Sequence, residues 1–230
     1  MALGQHKIEY EVLDGWERMP EGWSFVEVAG VACDSHDRVY VFNRGAHPMI
    51  VFDKEGRFLN AWGEGLFKGP HGIFIDRNDS LWLADDKDHT VHKFTTDGKR
   101  LMTLGESGKA ADTGYQIGAS PVLRSAGPFH RVTNVAVLPD GDMYIADGYG
   151  NARVHKFSAA GKLLFSWGEP GRGPGQFILP HGIGVDSAGL VYVADLENSR
   201  VQIFKSDGEY LREWTFLNRP YDIFIDDQDM

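Results

Sequence analysis

Gly69-Pro-His-Gly-Ile-Phe-Ile-Asp76 decides the fold, because the same pattern returns as Leu179-Pro-His-Gly-Ile-Gly-Val-Asp186. Each copy begins a unit with one order of features: an apolar run, a polar turn, a second run ending in Ala-Asp, a third ending in Phe, and an Asp-Gly turn. Two weaker copies begin at Ala29 and Asn134, and a fifth opening begins at Pro220. The chain is therefore built from repeats, and each residue is interpreted by its place in the repeat.

The composition limits the class of protein to which this chain of 230 residues belongs. Its 28 glycines and 10 prolines, spread among short apolar runs, predict many strands joined by tight turns. A formal net charge of −10 argues against nucleic acid or an anionic membrane as the partner. A single cysteine, Cys33, excludes an internal disulfide, and we expect it to be a small buried apolar filler. No signal peptide and no apolar run of membrane-spanning length is visible, so we expect a cytoplasmic protein.

Four short antiparallel strands in each unit of about 40–50 residues are typical of a β-propeller blade. We therefore predict an all-β fold, with a single propeller domain over residues 1–230. The expected boundaries are blade 1 at about 26–69, blade 2 at about 70–106, a loop insert at about 107–130, blade 3 at about 131–178, blade 4 at about 179–217 and the start of blade 5 at 218–230.

One segment carries a specific resemblance. Pro180-His-Gly-Ile-Gly-Val-Asp186, Val191-Tyr-Val-Ala-Asp195 and Asn198-Ser-Arg-Val-Gln-Ile-Phe204 together resemble an NHL repeat nearly position for position. The similarity extends from about Val26 to the end of the chain, and it implies a ring of six blades. The last blade and a half would then be absent. Either this chain is a fragment, which the abrupt stop at Asp226-Asp-Gln-Asp-Met230 favours, or the ring closes in an unusual way, for example through a second chain. The residues at 8–13 alternate as in a strand, and such a strand often closes the last blade of these rings.

A metal site is suggested by alignment of the repeats on their Ala-Asp pairs. One aligned position holds histidine in the second and fourth units only, as His71 and His181. Alternate blades of a six-bladed ring are about a third of a turn apart, so we expect a third histidine from blade six, beyond Met230. Three imidazoles form an open zinc site of the catalytic type. The alternative is a repeat consensus in which the histidine only packs at the channel mouth.

The rim beside these histidines carries a second resemblance. Val41-Phe-Asn-Arg-Gly-Ala-His47 and Asp147-Gly-Tyr-Gly-Asn-Ala-Arg153, with both Pro-His-Gly motifs, resemble segments of peptidyl-α-hydroxyglycine α-amidating lyases. That family implies zinc held by histidines, a tyrosine base and an arginine that supports developing charge. Carried over, the metal ligands are His71 and His181 and the catalytic residues are Tyr149 and Arg44. The implied reaction is the collapse of a carbinolamide to an amide and an aldehyde, and calcium is the second candidate cation.

Two departures from that family are visible. Leu196 follows Ala194-Asp195 where the family has a second arginine, and Gly150 follows Tyr149 where the secreted lyases have a disulfide cysteine.

Other functions are therefore weighed beside the lyase. A non-catalytic NHL propeller would use the same rim to bind a protein or peptide, whereas an enzyme would take a small-molecule or peptide substrate there. A lactone hydrolase of the gluconolactonase type fits poorly, because those sites use carboxylates and asparagines as ligands. In the turns after the second strands we expect two ion pairs, Asp147 with Arg153 and Asp195 with Arg200.

Overall fold

The computed structural model describes residues 11–118, 122–226 and 228–229. They contain four antiparallel sheets of four consecutive strands, named here blades 1–4 in chain order. Blade 1 consists of β1 (Val28–Cys33), β2 (Val39–Asn43), β3 (Met49–Phe52) and β4 (Phe58–Trp62). Blade 2 consists of β5 (Pro70–Ile75), β6 (Leu81–Asp85), β7 (Thr90–Phe94) and β8 (Arg100–Leu104). Blade 3 consists of β9 (Val132–Val137), β10 (Met143–Asp147), β11 (Arg153–Phe157) and β12 (Leu163–Trp167).

A short parallel pair, β13 (Glu169–Pro170) and β14 (Gln176–Phe177), precedes blade 4. Blade 4 consists of β15 (Pro180–Val185), β16 (Val191–Asp195), β17 (Arg200–Phe204) and β18 (Tyr210–Trp214), with a 3-10 turn at Leu196–Asn198. The first strands β1, β5, β9 and β15 lie side by side around a cavity of about 470 Å³. The predicted all-β architecture of four-stranded blades is confirmed.

The second strand of each blade shows why a repeat of this kind packs face to face. In β6, Leu81 and Leu83 pack against blade 1, whereas the intervening Trp82 packs against blade 3. All three side chains are at most 2% exposed. Because alternate residues of a strand point to opposite faces, an apolar strand without alternating polar residues is covered on both sides.

A tryptophan at the end of the fourth strand adds a contact between neighbouring blades. The Trp62 ring of blade 1 lies against Gly98, in the last turn of blade 2, and Trp167 lies in the same way against Gly208. The amino-terminal segment repeats this contact on blade 1, since the backbone and ring of Trp16 cover Gly56. Trp16 therefore occupies the place that a preceding blade's tryptophan would take.

The first strand of each blade contains a β-bulge at the aligned position. In β5 the register shifts between Pro70 and Ile73, and in β15 it shifts between Pro180 and Ile183. The extra residue lies opposite a single partner on the second strand, so the bulge changes the direction of its side chain. Equivalent shifts occur around Ala29 in β1 and Thr133 in β9. The bulges of blades 2 and 4 carry the paired histidines.

The aspartate that ends each second strand of blades 2–4 holds the segment before the first strand. Asp85 accepts hydrogen bonds from the backbone amides of Lys68 and Gly69, at 2.7 and 2.8 Å. Asp195 and Asp147 accept equivalent bonds from the segments before β15 and β9. All three aspartates are 0% exposed. The Ala-Asp pair of the repeat therefore fixes where the histidine-bearing strand begins.

One of the two expected ion pairs forms and the other does not. The Arg200 Nε atom donates to Asp195 at 3.0 Å. Asp147 instead accepts from Asn151 at 2.9 Å and contacts His155 Nε2 at 3.2 Å. These two side chains are 0% exposed and fill the space around the carboxylate. Arg153 turns away to Glu169, so its predicted pairing with Asp147 is wrong.

Three further expectations concern the ends and the inner face of the propeller. Cys33 is exposed beside the channel cavity rather than buried, because the end of β1 faces the channel and not a neighbouring blade. The strand predicted at 8–13 lies partly outside the described residues, and 11–13 form no strand. The described part of 218–230 also contains no strand. No helix among the described residues has the length and hydropathy needed to cross a bilayer.

Candidate functional site

The structure brings His71, His181 and Tyr149 together at the mouth of the channel. The Tyr149 hydroxyl lies 3.2 Å from His71 Nε2 and 3.1 Å from His181 Nε2. The two imidazole rings are 4.8 Å apart, centroid to centroid. The histidines come from the bulges of blades 2 and 4 and the tyrosine from the turn after the second strand of blade 3.

The second ring nitrogen of each histidine is held by the backbone. His71 Nδ1 lies 2.7 Å from the carbonyl of Thr133, and His181 Nδ1 lies 2.6 Å from the carbonyl of Tyr221. A carbonyl only accepts hydrogen bonds, so each Nδ1 must carry the proton and donate it. Each Nε2 then presents a lone pair toward Tyr149. Such a contact, which fixes the tautomer and the ring direction, is typical of histidines that bind metals.

The three side chains have more acceptors than donors. The hydroxyl of Tyr149 carries one proton and donates it to one Nε2 at a time, which leaves the other lone pair without a donor. Burial and then the charge of His181 lower the pKa of His71 to about 4, and burial lowers the pKa of His181. Both rings are therefore neutral at pH 7. Neutral, oriented imidazoles are ligands that Zn²⁺ prefers, and His71 and His181 fit two of the three protein ligands of a catalytic zinc site.

Arg44 lies on the rim next to the histidine strand of blade 2. Its Nε donates to the carbonyl of Pro70 at 2.9 Å, and its Nη1 atom lies 3.0 Å from Glu27. Its positive charge is near enough to lower the pKa of both histidines. All four residues that the sequence indicated thus border one region of the channel mouth.

The pKa of Tyr149 lies above its ordinary value, although opposing influences act on it. Burial raises it, and so does the negative charge of Asp86, whereas the charges of Arg44 and Arg131 lower it. Without a bound cation, the phenol is therefore protonated at neutral pH.

The sequence did not indicate two charged residues beside Tyr149. The Arg131 guanidinium carbon lies 5.0 Å from the centre of the Tyr149 ring, and Asp86 pairs with Arg131 at 2.5 Å. The two pairing residues are 45 positions apart, so no local pattern links them. The available signal was the place of Arg131, two residues before the bulge position occupied by Thr133.

The insert before blade 3 holds the turn that carries Tyr149. The amides of Tyr149 and Gly150 donate to the carbonyls of Arg131 and His130, at 3.3 and 2.9 Å. Thr113, inside the insert, donates its hydroxyl to the carbonyl of Gly150 at 2.6 Å. The imidazole of His130 also packs against Gly150. The insert therefore braces the turn that carries Tyr149.

A second group with metal-ligand chemistry lies at the opposite end of the strands. Asp34, His36 and Asp79 place ligand atoms within 4.8 Å of one another. The Asp34 carboxylate already accepts bonds from Arg38 and Tyr40, and that of Asp79 accepts two from Ser35. Within residues 11–118, 122–226 and 228–229 no other His, Cys, Asp or Glu group of three meets this spacing. Because these carboxylates have protein partners, the histidine pair is the better candidate.

Comparison with known proteins identifies the type of repeat in blade 4. Residues 177–204 match the family model described as NHL repeat, over the blade 4 segment that carries His181. Blade 4 therefore contains an NHL repeat. NHL repeat-containing protein 3 of Homo sapiens is 36% identical over 221 residues, which cover 90% of this chain and 60% of that protein. The chain thus spans less than two thirds of that relative's length.

The chain is also similar to enzymes. Peptidyl-alpha-hydroxyglycine alpha-amidating lyase 1 of Drosophila melanogaster is 37% identical over 163 residues, covering 66% of this chain and 28% of the lyase. Among solved structures, virginiamycin B lyase from Staphylococcus aureus, an inactive H270A variant with quinupristin, superposes with a TM-score of 0.61 at 15% identity. That match covers 85% of this chain and 58% of the lyase chain, and it supports the propeller fold alone. The relatives therefore include amidating lyases and proteins named only for their repeats.

Proposed function

We propose that this chain contributes the catalytic face of a zinc-dependent lyase that cleaves a carbinolamide C–N bond. The observation that carries the proposal is the convergence of His71 Nε2 and His181 Nε2 on the Tyr149 hydroxyl, at 3.2 and 3.1 Å. A repeat consensus histidine needs only to pack, and it has no need of a lone pair aimed at a hydroxyl that a second histidine shares. The relation to amidating lyases supports the same reading.

His71 and His181 are the residues that would hold the metal. Zinc suits two neutral imidazoles, whereas calcium prefers a set of oxygen ligands. When bound, zinc would supply Lewis-acid chemistry that makes a substrate hydroxyl more acidic.

Tyr149 is the proposed proton carrier. As a phenolate it would take the proton of the carbinolamide hydroxyl, and the C–O bond would become the aldehyde C=O as the C–N bond breaks. The bond electrons pass to nitrogen, which takes the proton back from Tyr149 and leaves as the amide. The reaction requires no oxidant or reductant. Burial raises the pKa of Tyr149 above the ordinary value of about 10, and the positive charges of Arg44 and Arg131 offset only part of that rise. A bound zinc would add the further positive charge that the phenolate needs.

Arg44 would act on the negative charge that develops on the substrate oxygen. Its Nε donates to the Pro70 carbonyl, one residue before His71, so its guanidinium is fixed relative to the imidazole that would hold the metal. A cation held in place before the reaction stabilises developing charge without reorganisation.

The second candidate is a propeller that binds a protein or peptide on the same rim. Its support is the similarity to NHL repeat-containing protein 3, whose name states a repeat and no activity. Such a scaffold needs neither stoichiometric metal nor the hydroxyl of Tyr149. The two candidates therefore differ in measurable ways.

The first test measures the metal content of the purified chain by plasma mass spectrometry. Tag-bound metal is removed, the protein is dialysed against zinc, and unbound zinc is then removed before the measurement. The lyase predicts one zinc per chain, lost in His71→Ala and in His181→Ala with the circular dichroism spectrum unchanged. His36→Ala is the matched variant, because it removes the histidine of the Asp34 group. Zinc lost only in His36→Ala, or absent from the folded wild type, would reject the proposed site.

The second test measures glyoxylate release from a peptide ending in α-hydroxyglycine. Tyr149→Phe should retain zinc and lose activity by about 10²–10⁴-fold, the range for loss of a general base. Zinc-loaded wild-type protein without activity on this peptide would reject the carbinolamide reaction while leaving the metal site standing.

A further inference from the structure

Arg131 contacts Tyr149 through both its side chain and its backbone. The guanidinium carbon lies 5.0 Å from the centre of the tyrosine ring, in the range of a cation–π contact. The carbonyl of Arg131 accepts the Tyr149 amide at 3.3 Å. Arg131 therefore contacts both the aromatic ring and the backbone amide of Tyr149, whereas the two histidines contact its hydroxyl.

Three partners from different parts of the chain hold Arg131. Its Nη2 pairs with Asp86, which is 2% exposed, and its Nη1 lies 3.0 Å from the hydroxyl of Tyr115 in the insert. Its backbone amide donates to His89 Nδ1 at 3.0 Å. A guanidinium with two side-chain partners and a fixed backbone has little freedom, so it keeps its place over the tyrosine ring.

The backbone of Arg131 adopts a conformation that side chains rarely take. Its φ is 62°, in the left-handed region. A residue with a long side chain is uncommon there and persists only where its surroundings determine it. The partners named above supply that constraint. The left-handed turn directs the carbonyl of Arg131 to the Tyr149 amide while its side chain reaches back to Asp86 in blade 2.

We infer that Arg131 is the positioning residue for Tyr149, which keeps the phenol hydroxyl directed between the imidazoles of His71 and His181. Asp86 and Tyr115 hold the guanidinium in place, so blade 2 and the insert both contribute to the orientation of a blade 3 side chain. Arg131 acts through Tyr149 and needs no contact with substrate. The insert thereby has a role in the site, although it supplies none of the four residues that the sequence indicated.

The test measures the environment of the Tyr149 ring directly, without relying on enzymatic activity. The protein is labelled with 3-fluorotyrosine, and the Tyr149 resonance is assigned by its absence from Tyr149→Phe. In Arg131→Gln we expect this ¹⁹F resonance to shift or broaden, because the ring loses its cation contact. Arg131→Lys keeps a positive charge but not the planar face, and should recover part of the wild-type signal. Arg124→Ala, which removes an exposed arginine of the same insert, should leave the signal unchanged.

Arg131→Gln leaves the buried Asp86 carboxylate without its charged partner, so a double variant controls for misfolding. Arg131→Gln with Asp86→Asn removes the two charges but keeps a hydrogen-bonding pair, and it should show the same ¹⁹F change as Arg131→Gln. Zinc content should stay at the wild-type value in every one of these variants. A Tyr149 resonance that is identical in wild type, Arg131→Gln and the double variant would overturn the inference.

A kinetic measurement extends the test and rests on the proposed lyase function. Arg131→Gln should lower kcat by on the order of 10- to 100-fold with little change in KM, since a misdirected catalytic group slows the chemical step. Failure of the lyase proposal would appear as absence of activity in the wild type, whereas failure of the positioning role would appear as an unchanged fluorine signal. Equal kcat in wild type and Arg131→Gln would also contradict the role.

Discussion

At the scale of single residues, the two histidines of the site and the histidines of the core have opposite surroundings. His71 and His181 each direct a lone pair toward a shared hydroxyl, whereas His92 has hydroxyl groups at both ring nitrogens. Its Nε2 lies 3.0 Å from Thr90 Oγ1 and its Nδ1 lies 2.9 Å from Thr103 Oγ1. Each of these hydroxyls belongs to a threonine of the same blade, whereas the Tyr149 hydroxyl is shared by two imidazoles from different blades. His92 instead affects the pH dependence of stability.

His92→Gln should reduce the loss of stability on acidification. Burial, and then Arg100, lower the pKa of His92 to about 4, from an ordinary value of 6.5. At position 92 the unfolded chain therefore binds a proton below about pH 6.5, whereas the folded chain binds it only below about pH 4. Folding stability falls as the pH is lowered across that window. Glutamine retains hydrogen-bonding groups without a titration. Urea unfolding at pH 7 and pH 4.5 should show the wild type losing more stability than the variant, by on the order of 2 kcal/mol.

The contrary outcome is an equal loss of stability in the two proteins. His71 contributes in the same direction in both, because its pKa is also lowered to about 4. The carboxylates with lowered pKa values, such as Asp34 and Asp76, lose their contribution only below their ordinary value of 3.8. The difference between wild type and variant over the chosen window therefore isolates His92.

The sequence indicated some residues of the site and not others, for a physical reason. His71 and His181 were visible because alignment of the repeats shows histidine at one position in two units and other residues there in the remaining units. Tyr149 and Arg44 came from similarity to a family, and their roles stay predictions. Arg131 was not visible, because its contacts to blade 2 and the insert arise only when the chain folds. Pairings across blades have no spacing in sequence that predicts them.

At the scale of secondary-structure elements, the glycine after each site histidine permits close packing of the inner strands. A Cβ on Gly72 would lie 2.5 Å from the carbonyl oxygen of Thr133, the same oxygen that accepts the His71 bond. Two of the three nearest atoms, the Thr133 carbonyl oxygen and the Asn134 Cα, are backbone and cannot move aside cheaply. Sequence alone predicted these strands and turns, but not the bulge that turns the histidine toward its partner.

Gly72→Ala should therefore affect both stability and the site. We expect a loss of about 1–3 kcal/mol, the usual cost of an overpacked core, together with weaker zinc binding. The matched control is Gly127→Ala, since a Cβ there meets no atom within 4 Å. Urea unfolding and zinc titration of both variants provide the measurement. Equal stability of Gly72→Ala and Gly127→Ala would show that the strands are not in close contact at this point.

The tryptophan contact between blades is testable with a second glycine pair. Gly98 and Gly189 both adopt left-handed turns, with φ of 87° and 80°, so alanine strains both backbones alike. A Cβ on Gly98 would lie 2.8 Å from the Trp62 ring, whereas one on Gly189 meets nothing within 4 Å. Gly98→Ala should therefore be less stable than Gly189→Ala by about 1–2 kcal/mol. Equal urea midpoints would indicate that Trp62 adds nothing to the packing of blade 1 on blade 2.

At the scale of the whole molecule, the site depends on how three blades are arranged. His71 belongs to blade 2, His181 to blade 4, and both the Tyr149 turn and the carbonyl of Thr133 belong to blade 3. In repeat proteins each unit contacts only its neighbours, so stability is close to a sum of units and interfaces. A metal held by blades 2 and 4 would connect units that are not adjacent in sequence. Binding would then stabilise the chain as a whole.

Zinc should accordingly raise the Tm of the chain. A ligand that binds only the folded state stabilises it by about 2.7 kcal/mol at 100 times its Kd. For a chain of this size that corresponds to a Tm increase on the order of 5–10 °C. The increase should disappear in His71→Ala and His181→Ala and persist in His36→Ala and His92→Gln, whose histidines lie elsewhere. Scanning calorimetry with and without zinc measures it. An equal increase in all four variants would mean that zinc binds outside the channel mouth and leaves blades 2 and 4 unconnected.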